Sequence, residues 1–133
     1  MVPDAQARPR ADPHRHHATA PGAPRPGNTE ILSADGLSVE VIDPRSLAPL
    51  DKRKILESVA RTGRLVVIEP AKKTNGAAAE IAALVSEEMF SSLKAPIRRV
   101  TTPDVHIPYS PALEKPLYPN TEKVLAAIRS LVR

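Results

Sequence analysis

Three groups of residues in this 133-residue sequence have types and spacing that could do chemistry. The first is His14, His16 and His17, since imidazoles are common ligands for zinc, copper and nickel. Arg15 places a cation inside the cluster, and the chain has no cysteine to complete a ligand set. We therefore expect a solvated histidine-rich tail here, and no metal site.

The second group is the basic loop Lys72–Gly76, which precedes a predicted helix. Free backbone amides and the helix dipole at such a position favour a phosphate. The order of glycine and lysine does not match a P-loop, however. We expect a loop that leads into the helix, and no cofactor-binding residue.

The third group is Asp104 and His106, which could form a general base oriented by a carboxylate. No serine or cysteine nucleophile is spaced with them in a recognisable motif. We expect a loop histidine and no catalytic residue. Tyr109 and Tyr118 are predicted to pin the proline-rich connection of residues 103–119 onto the domain.

The N-terminal 28 residues differ in composition from the rest of the chain. They contain six prolines and four arginines, but no Ile, Leu, Phe, Tyr or Trp. Such a segment cannot bury enough apolar surface to fold, so residues 1–28 are predicted to be a disordered tail. The tail also lacks the apolar run of a secretory signal, and we expect a cytoplasmic protein with no membrane contact.

From residue 29 onward, short apolar strands alternate with amphipathic helices, which predicts an α/β fold with a mostly parallel sheet. A first helix should end near Leu32 and be closed by Asp35–Gly36. Later helices should begin after the caps Asp51 and Asn120, and Gly63 should end the first of these two. The other predicted elements are strands at Leu37–Ile42, Leu65–Ile68 and Ile97–Thr101 and a helix over Ala77–Phe90.

Several segments in this order resemble the C-terminal domain of transketolase-like thiamine enzymes. They are Val39–Leu47, Thr62–Glu69, Ala79–Ala82 and Ala95–Thr101. Two further segments, Pro108–Glu114 and Leu117–Asn120, resemble the β subunit of the decarboxylating component of 2-oxo acid dehydrogenases. This group acts on pyruvate, branched-chain 2-oxo acids or acetoin, and the resemblance leaves the substrate open.

The resemblance implies a three-layer fold and a place in a larger assembly. In this family, thiamine diphosphate and magnesium lie between the α subunit and another domain of the β subunit, so this chain is expected to bind neither. Its expected partners are an α subunit, a second β subunit and an acyltransferase core.

Family members begin this domain with an apolar strand, a glycine turn and a helix, and here only a helix near Glu30–Leu32 is recognisable. Residues 29–133 are therefore predicted to form a truncated domain that lacks its first strand. Prolines lack the amide donor of a central strand, so the tail is not expected to replace it. We expect marginal stability and self-association through the open sheet.

Lys94 occupies a position where several family members carry an acidic residue that contacts the acyltransferase. An exposed lysine without a docking role is the simpler interpretation. A docking surface would comprise Lys94 with the C-terminal residues Leu131, Val132 and Arg133.

Two functions follow from these patterns. The first is a noncatalytic association domain of a 2-oxo acid dehydrogenase β subunit. The alternative is a basic interaction or nucleic-acid-binding module that uses Arg8–Arg25 with Lys72 and Lys73. A chain with 2% aromatic residues supplies few rings for base stacking, so nucleic acid is the less favoured partner.

Overall fold

In the computed structural model, the described residues are the backbone of 16–19 and residues 31–132. Within them, four parallel strands form one sheet in the order β2-β1-β3-β4. The strands are β1 (His16–Thr19), β2 (Val39–Ile42), β3 (Leu65–Lys72) and β4 (Arg98–Thr102).

Helices cover both faces of this sheet. They are α1 (residues 31–34), α2 (Lys52–Thr62), α3 (Ala77–Met89), α4 (Pro111–Glu114) and α5 (Thr121–Ser130). Short 3₁₀ turns follow α3 at Phe90–Ser92 and α4 at Lys115–Leu117. None of the helices in the described part of the chain is long and apolar enough to cross a membrane.

Strand β3 shows why the fold has three layers. Leu65 and Val67 pack with α2 and α3, while Val66 and Ile68 pack with α1 and α5 on the opposite face. All four side chains are at most 2% exposed. A parallel strand covered on both faces is expected to be apolar throughout, and the α/β prediction is confirmed.

The helix boundaries follow local signals that the sequence contains. The Asp51 carboxylate accepts a hydrogen bond from the Lys54 amide at 3.1 Å, and Asn120 caps α5 in the same way through Lys123 at 2.9 Å. Gly63 ends α2 with a left-handed φ of 67°. These three predicted caps are confirmed.

The expectation that the sheet lacks its first strand is wrong. Strand β1 lies between β2 and β3, with His16 paired to Val39 and His17 paired to Leu65. The prolines of the tail, Pro13 and Pro21, flank this segment rather than interrupt it, so each of its residues retains an amide donor. A ladder is made by the backbone, and four proline-free residues are enough to fill the central position.

Because β1 fills the central position of the sheet, the predicted self-association through an open position there loses its basis. The prediction of a disordered tail is also wrong for residues 16–19, which are a strand. The remainder of residues 1–28, and the histidine side chains considered as metal ligands, lie outside the described residues.

Candidate functional site

The amino ends of the strands carry the best candidate for a docking site. We call this region the amino-end corner and define it by Gly63, Arg64, Lys94, Leu131 and Val132. The Gly63 carbonyl accepts a hydrogen bond from the Lys94 amide at 2.8 Å. The Arg64 Nε donates to the Leu131 carbonyl at 2.8 Å. The predicted docking residues on either side of Gly63–Arg64 are thus brought to the same end of the sheet.

Gly63 allows residues 92–94 to approach the C-terminal end of α2 closely. A Cβ at this position would lie 2.8 Å from the Ser92 carbonyl oxygen and 2.7 Å from Lys94 Cγ. Its positive φ is also disfavoured for residues with a side chain. The aliphatic part of the Lys94 side chain therefore packs against the C-terminal end of α2, while the residue as a whole stays exposed.

The C-terminal residues differ in their accessibility. Leu131 is 3% exposed and belongs to the core beneath α5, so its side chain is not available as a docking surface, and the prediction is corrected in that respect. Val132 is half-buried, and Arg133 lies outside the described residues. The docking roles of Lys94 and Val132 stay predictions.

The carboxyl ends of the strands contain a group of polar residues that holds the N-terminus of α3 in place. Glu69 is 8% exposed, and its carboxylate accepts hydrogen bonds from the amides of Ala77 at 3.0 Å and Ala78 at 2.7 Å. A buried carboxylate thus occupies the amides that a phosphate would need. The Lys72–Gly76 loop has exposed lysines but no free helix N-terminus at this point.

Sequence reasoning did not identify Glu69 as a functional position. The available signal was a carboxylate directly after a buried strand and shortly before Gly76. A Cβ on Gly76 would lie 2.6 Å from Glu69 Oε2 and 2.8 Å from the Lys72 carbonyl oxygen. Gly76 is therefore needed for the close approach of the carboxylate to the helix.

Asp104 fixes the same loop from the side of β4. Its carboxylate accepts hydrogen bonds from the Thr74 hydroxyl at 2.7 Å and the Thr74 amide at 3.0 Å. These bonds, followed by the nearby charges of Lys72 and Lys73, hold the pKa of Asp104 below its ordinary value. Asp104 is thus engaged with Thr74, and His106 is an exposed loop residue.

The two tyrosines of the proline-rich connection behave differently. Tyr118 donates a hydrogen bond to Glu114 at 2.8 Å, which raises the pKa of the phenol. Both residues belong to the proline-rich connection, so the pinning of that connection onto the domain by Tyr118 stays a prediction. Tyr109 is 100% exposed, so the prediction that it pins the connection is wrong.

The described residues give no basis for placing thiamine diphosphate or its magnesium in this chain. Among residues 31–132, no three His, Cys, Asp or Glu side chains are grouped to hold a metal ion. The carboxylates of Glu69 and Asp104 instead hold the start of α3 and the loop that precedes it.

Comparisons with known proteins place this geometry in context. The chain is 42% identical over 101 residues to the β subunit of acetoin:2,6-dichlorophenolindophenol oxidoreductase from Bacillus subtilis (strain 168), which covers 76% of this chain and 30% of that protein. It is 40% identical over 103 residues to the β subunit of 2-oxoisovalerate dehydrogenase from the same organism, covering 77% of this chain and 32% of that protein. The pyruvate dehydrogenase E1 component subunit beta of Rickettsia bellii is 45% identical over 101 residues, which is 76% of this chain and 31% of that protein.

The chain thus spans about a third of the length of the curated relatives it matches. A solved structure, described as a split gene transketolase, inactive beta4 tetramer, superposes with a TM-score of 0.75 at 25% identity. The superposition covers 90% of this chain and 39% of that chain.

The family described as "Transketolase, C-terminal domain" matches residues 28–124, a range that contains strands β2, β3 and β4 and ends within the first turn of α5. The three-layer parallel fold agrees with that match, as does the similarity to β subunits of 2-oxo acid dehydrogenases. The chain therefore belongs to the transketolase C-terminal domain family.

Proposed function

We propose that this chain is a noncatalytic association domain of a 2-oxo acid dehydrogenase β subunit. The observation that carries the proposal is its 40–45% identity, over about three quarters of the chain, to the β subunits named above. The use of Glu69 and Asp104 in closing α3 and its loop supports the noncatalytic part, because neither carboxylate is free to act on a substrate. The expected partners are an α subunit, a second β subunit and an acyltransferase.

We place the acyltransferase contact at the amino-end corner. Lys94 presents an exposed cation there, and the Arg64 side chain is held at the same corner by its bond to the Leu131 carbonyl. A partner segment rich in Asp and Glu would complement this charge, whereas a basic segment would be repelled. The proposal therefore fixes the sign of the partner's charge as well as the location of the contact.

Binding measurements on the full chain test the contact. The acyltransferase from the same genome is titrated by calorimetry with the unaltered chain, with Lys94→Glu, and with Lys115→Glu as an exposed control on the proline-rich connection. We expect Lys94→Glu to weaken binding by about tenfold, as the loss of a favourable charge contact at an interface predicts, and Lys115→Glu to leave it unchanged. Absence of binding by the unaltered chain, or tighter binding by Lys94→Glu, would overturn the proposed contact.

An activity assay tests the noncatalytic part. The full chain is incubated with thiamine diphosphate, magnesium and either pyruvate or a branched-chain 2-oxo acid, and released carbon dioxide is measured. We expect no release above a buffer control. Turnover by the chain alone would contradict the proposal.

A further inference from the structure

The loop between β3 and α3 contains an asparagine followed directly by a glycine, and the fold favours each residue type at its position. Asn75 has a left-handed φ of 61°, which asparagine tolerates better than most residues with a side chain. Gly76 has no room for a Cβ, which would lie 2.6 Å from Glu69 Oε2 and 2.8 Å from the Lys72 carbonyl oxygen. A side-chain amide is therefore followed by a backbone nitrogen that no side chain shields.

Both of these groups are free of hydrogen bonds within the described part of the chain. The amides held by Glu69 are those of Ala77 and Ala78, and the Gly76 amide that precedes them donates to no acceptor among residues 31–132. The side-chain amide of Asn75 has no partner in that range either, and Asn75 is exposed. The two neighbouring groups are thus free to react with each other.

We propose that Asn75 is a site of spontaneous deamidation through Gly76. The Gly76 nitrogen attacks Cγ of Asn75, the bond from Cγ to Nδ2 breaks, and ammonia leaves with the amide proton of Gly76. The product is a cyclic succinimide, which water opens at either of its carbonyl carbons. Attack of water at Cγ gives aspartate in an ordinary backbone. Attack at the backbone carbonyl carbon gives isoaspartate, in which the chain runs through Cβ.

Asn120 has the opposite surroundings and provides a comparison within the same chain. Its side-chain oxygen accepts a hydrogen bond from the Lys123 amide at 2.9 Å, so the amide is held in the cap of α5. The next residue is Thr121, whose branched side chain restricts the backbone nitrogen that would have to attack. Ring closure at Asn120 therefore requires loss of the cap and a crowded approach, and neither obstacle is present at Asn75.

The modification falls between two anchored parts of the structure. Thr74 is bound to Asp104 through its hydroxyl at 2.7 Å and its amide at 3.0 Å. The first amides of α3 are bound to Glu69 at 3.0 and 2.7 Å. Isoaspartate adds one carbon atom to the backbone between these anchors, where Gly76 already lies in close contact with Glu69. We therefore expect isoaspartate to separate α3 from Glu69, whereas aspartate keeps the length of the backbone.

Ageing of the full chain tests the reaction. The protein is incubated at mildly alkaline pH and digested, and conversion at Asn75 and Asn120 is quantified by peptide mass spectrometry, with isoaspartyl methyltransferase to detect isoaspartate. We expect conversion at Asn75 to be at least about tenfold faster than at Asn120, because only Asn120 must release a cap and close a ring beside a branched residue. Asn75→Gln is the matched control, since it keeps the amide but must close a larger ring. Equal rates at the two asparagines, or equally fast conversion in Asn75→Gln, would overturn the proposal.

Hydrogen exchange tests the structural consequence. The isoaspartate form is separated from the aged protein by chromatography, and exchange of the Ala77 and Ala78 amides is followed by NMR. We expect these amides to exchange at least about tenfold faster than in the unaltered chain, because their bonds to Glu69 open. Asn75→Asp carries the new charge on an unchanged backbone and should stay close to the unaltered rate. Equal exchange in the isoaspartate form and the unaltered chain would contradict the separation of α3 from Glu69.

Discussion

Helices α2 and α3 cover the same face of the sheet, yet their outer surfaces have opposite character. The outer surface of α2 carries charged side chains that pair locally, Arg53 with Glu57 and Arg61 with Glu40 on β2. The outer surface of α3 carries alanines, a serine, carboxylates without a described cationic partner, and Phe90 after its end. Two helices with equivalent inner packing thus present different outer surfaces: that of α2 is charged and paired, and that of α3 carries small residues and an exposed aromatic ring.

The inner packing should be equally important in both helices. Ile55 of α2 and Ile81 of α3 are 1% and 3% exposed and belong to the same hydrophobic cluster. We expect Ile55→Ala and Ile81→Ala each to lower the free energy of unfolding by about 2–5 kcal/mol, because each leaves a cavity. Urea denaturation measures both, with Ala126→Gly on the exposed side of α5 as a mild reference. A loss below about 1 kcal/mol in either core variant would show that its helix is loosely packed.

The two helices also begin differently, which predicts unequal costs for losing their caps. Asp51 caps α2 from an exposed position three residues away, whereas Glu69 reaches α3 from the preceding strand and is buried. We expect Glu69→Ala to cost about 2–4 kcal/mol, since it leaves two amide donors without acceptors. Asp51→Ala should cost about 0.5–2 kcal/mol. Equal costs in thermal melts would contradict the distinction between a tertiary and a local cap.

This difference between local and tertiary caps also explains which capping roles could be predicted from the sequence. Asp51, Gly63 and Asn120 act within a few residues of their own position, so their roles follow from local rules. The role of Glu69 depends on how closely Gly76 brings α3 to the end of β3, and that distance is set by the folded sheet. Strand β1 was missed for a related reason, because its place is defined by the backbones of β2 and β3 and not by an apolar pattern.

Local sequence rules likewise could not predict which individual side chains are exposed to solvent. The periodicity of α5 placed Leu131 on its apolar side, and the core indeed contains it. The same residue was also assigned to a docking surface because it lies near the chain's end. Tyr109 shows the reverse case, since a ring beside prolines was expected to pack and is fully exposed.

The loop before α3 should respond to acid through Asp104. The pKa of Asp104 is lowered by its bonds to Thr74, so the contact is present above the carboxyl group's ordinary pKa and is lost as pH falls through the lowered value. We expect the Thr74 amide proton to shift in NMR spectra below about pH 4. The shift should be absent in Asp104→Asn, which has no carboxyl group at that position to titrate. The same acid-induced shift of the Thr74 resonance in Asp104→Asn would contradict this contact.

Sedimentation equilibrium of the full chain tests the contrast between the two helices most directly. Ala83→Glu inserts a charge among the small residues on the outer surface of α3, and Arg53→Glu changes a charge on the exposed surface of α2. Circular dichroism first establishes that both variants keep the fold. We predict that the unaltered chain and Arg53→Glu self-associate alike, while Ala83→Glu loses at least about tenfold in association constant. A chain that stays monomeric at all concentrations, or an equal effect of the two substitutions, would contradict the expected contact between the outer surface of α3 and a second β subunit.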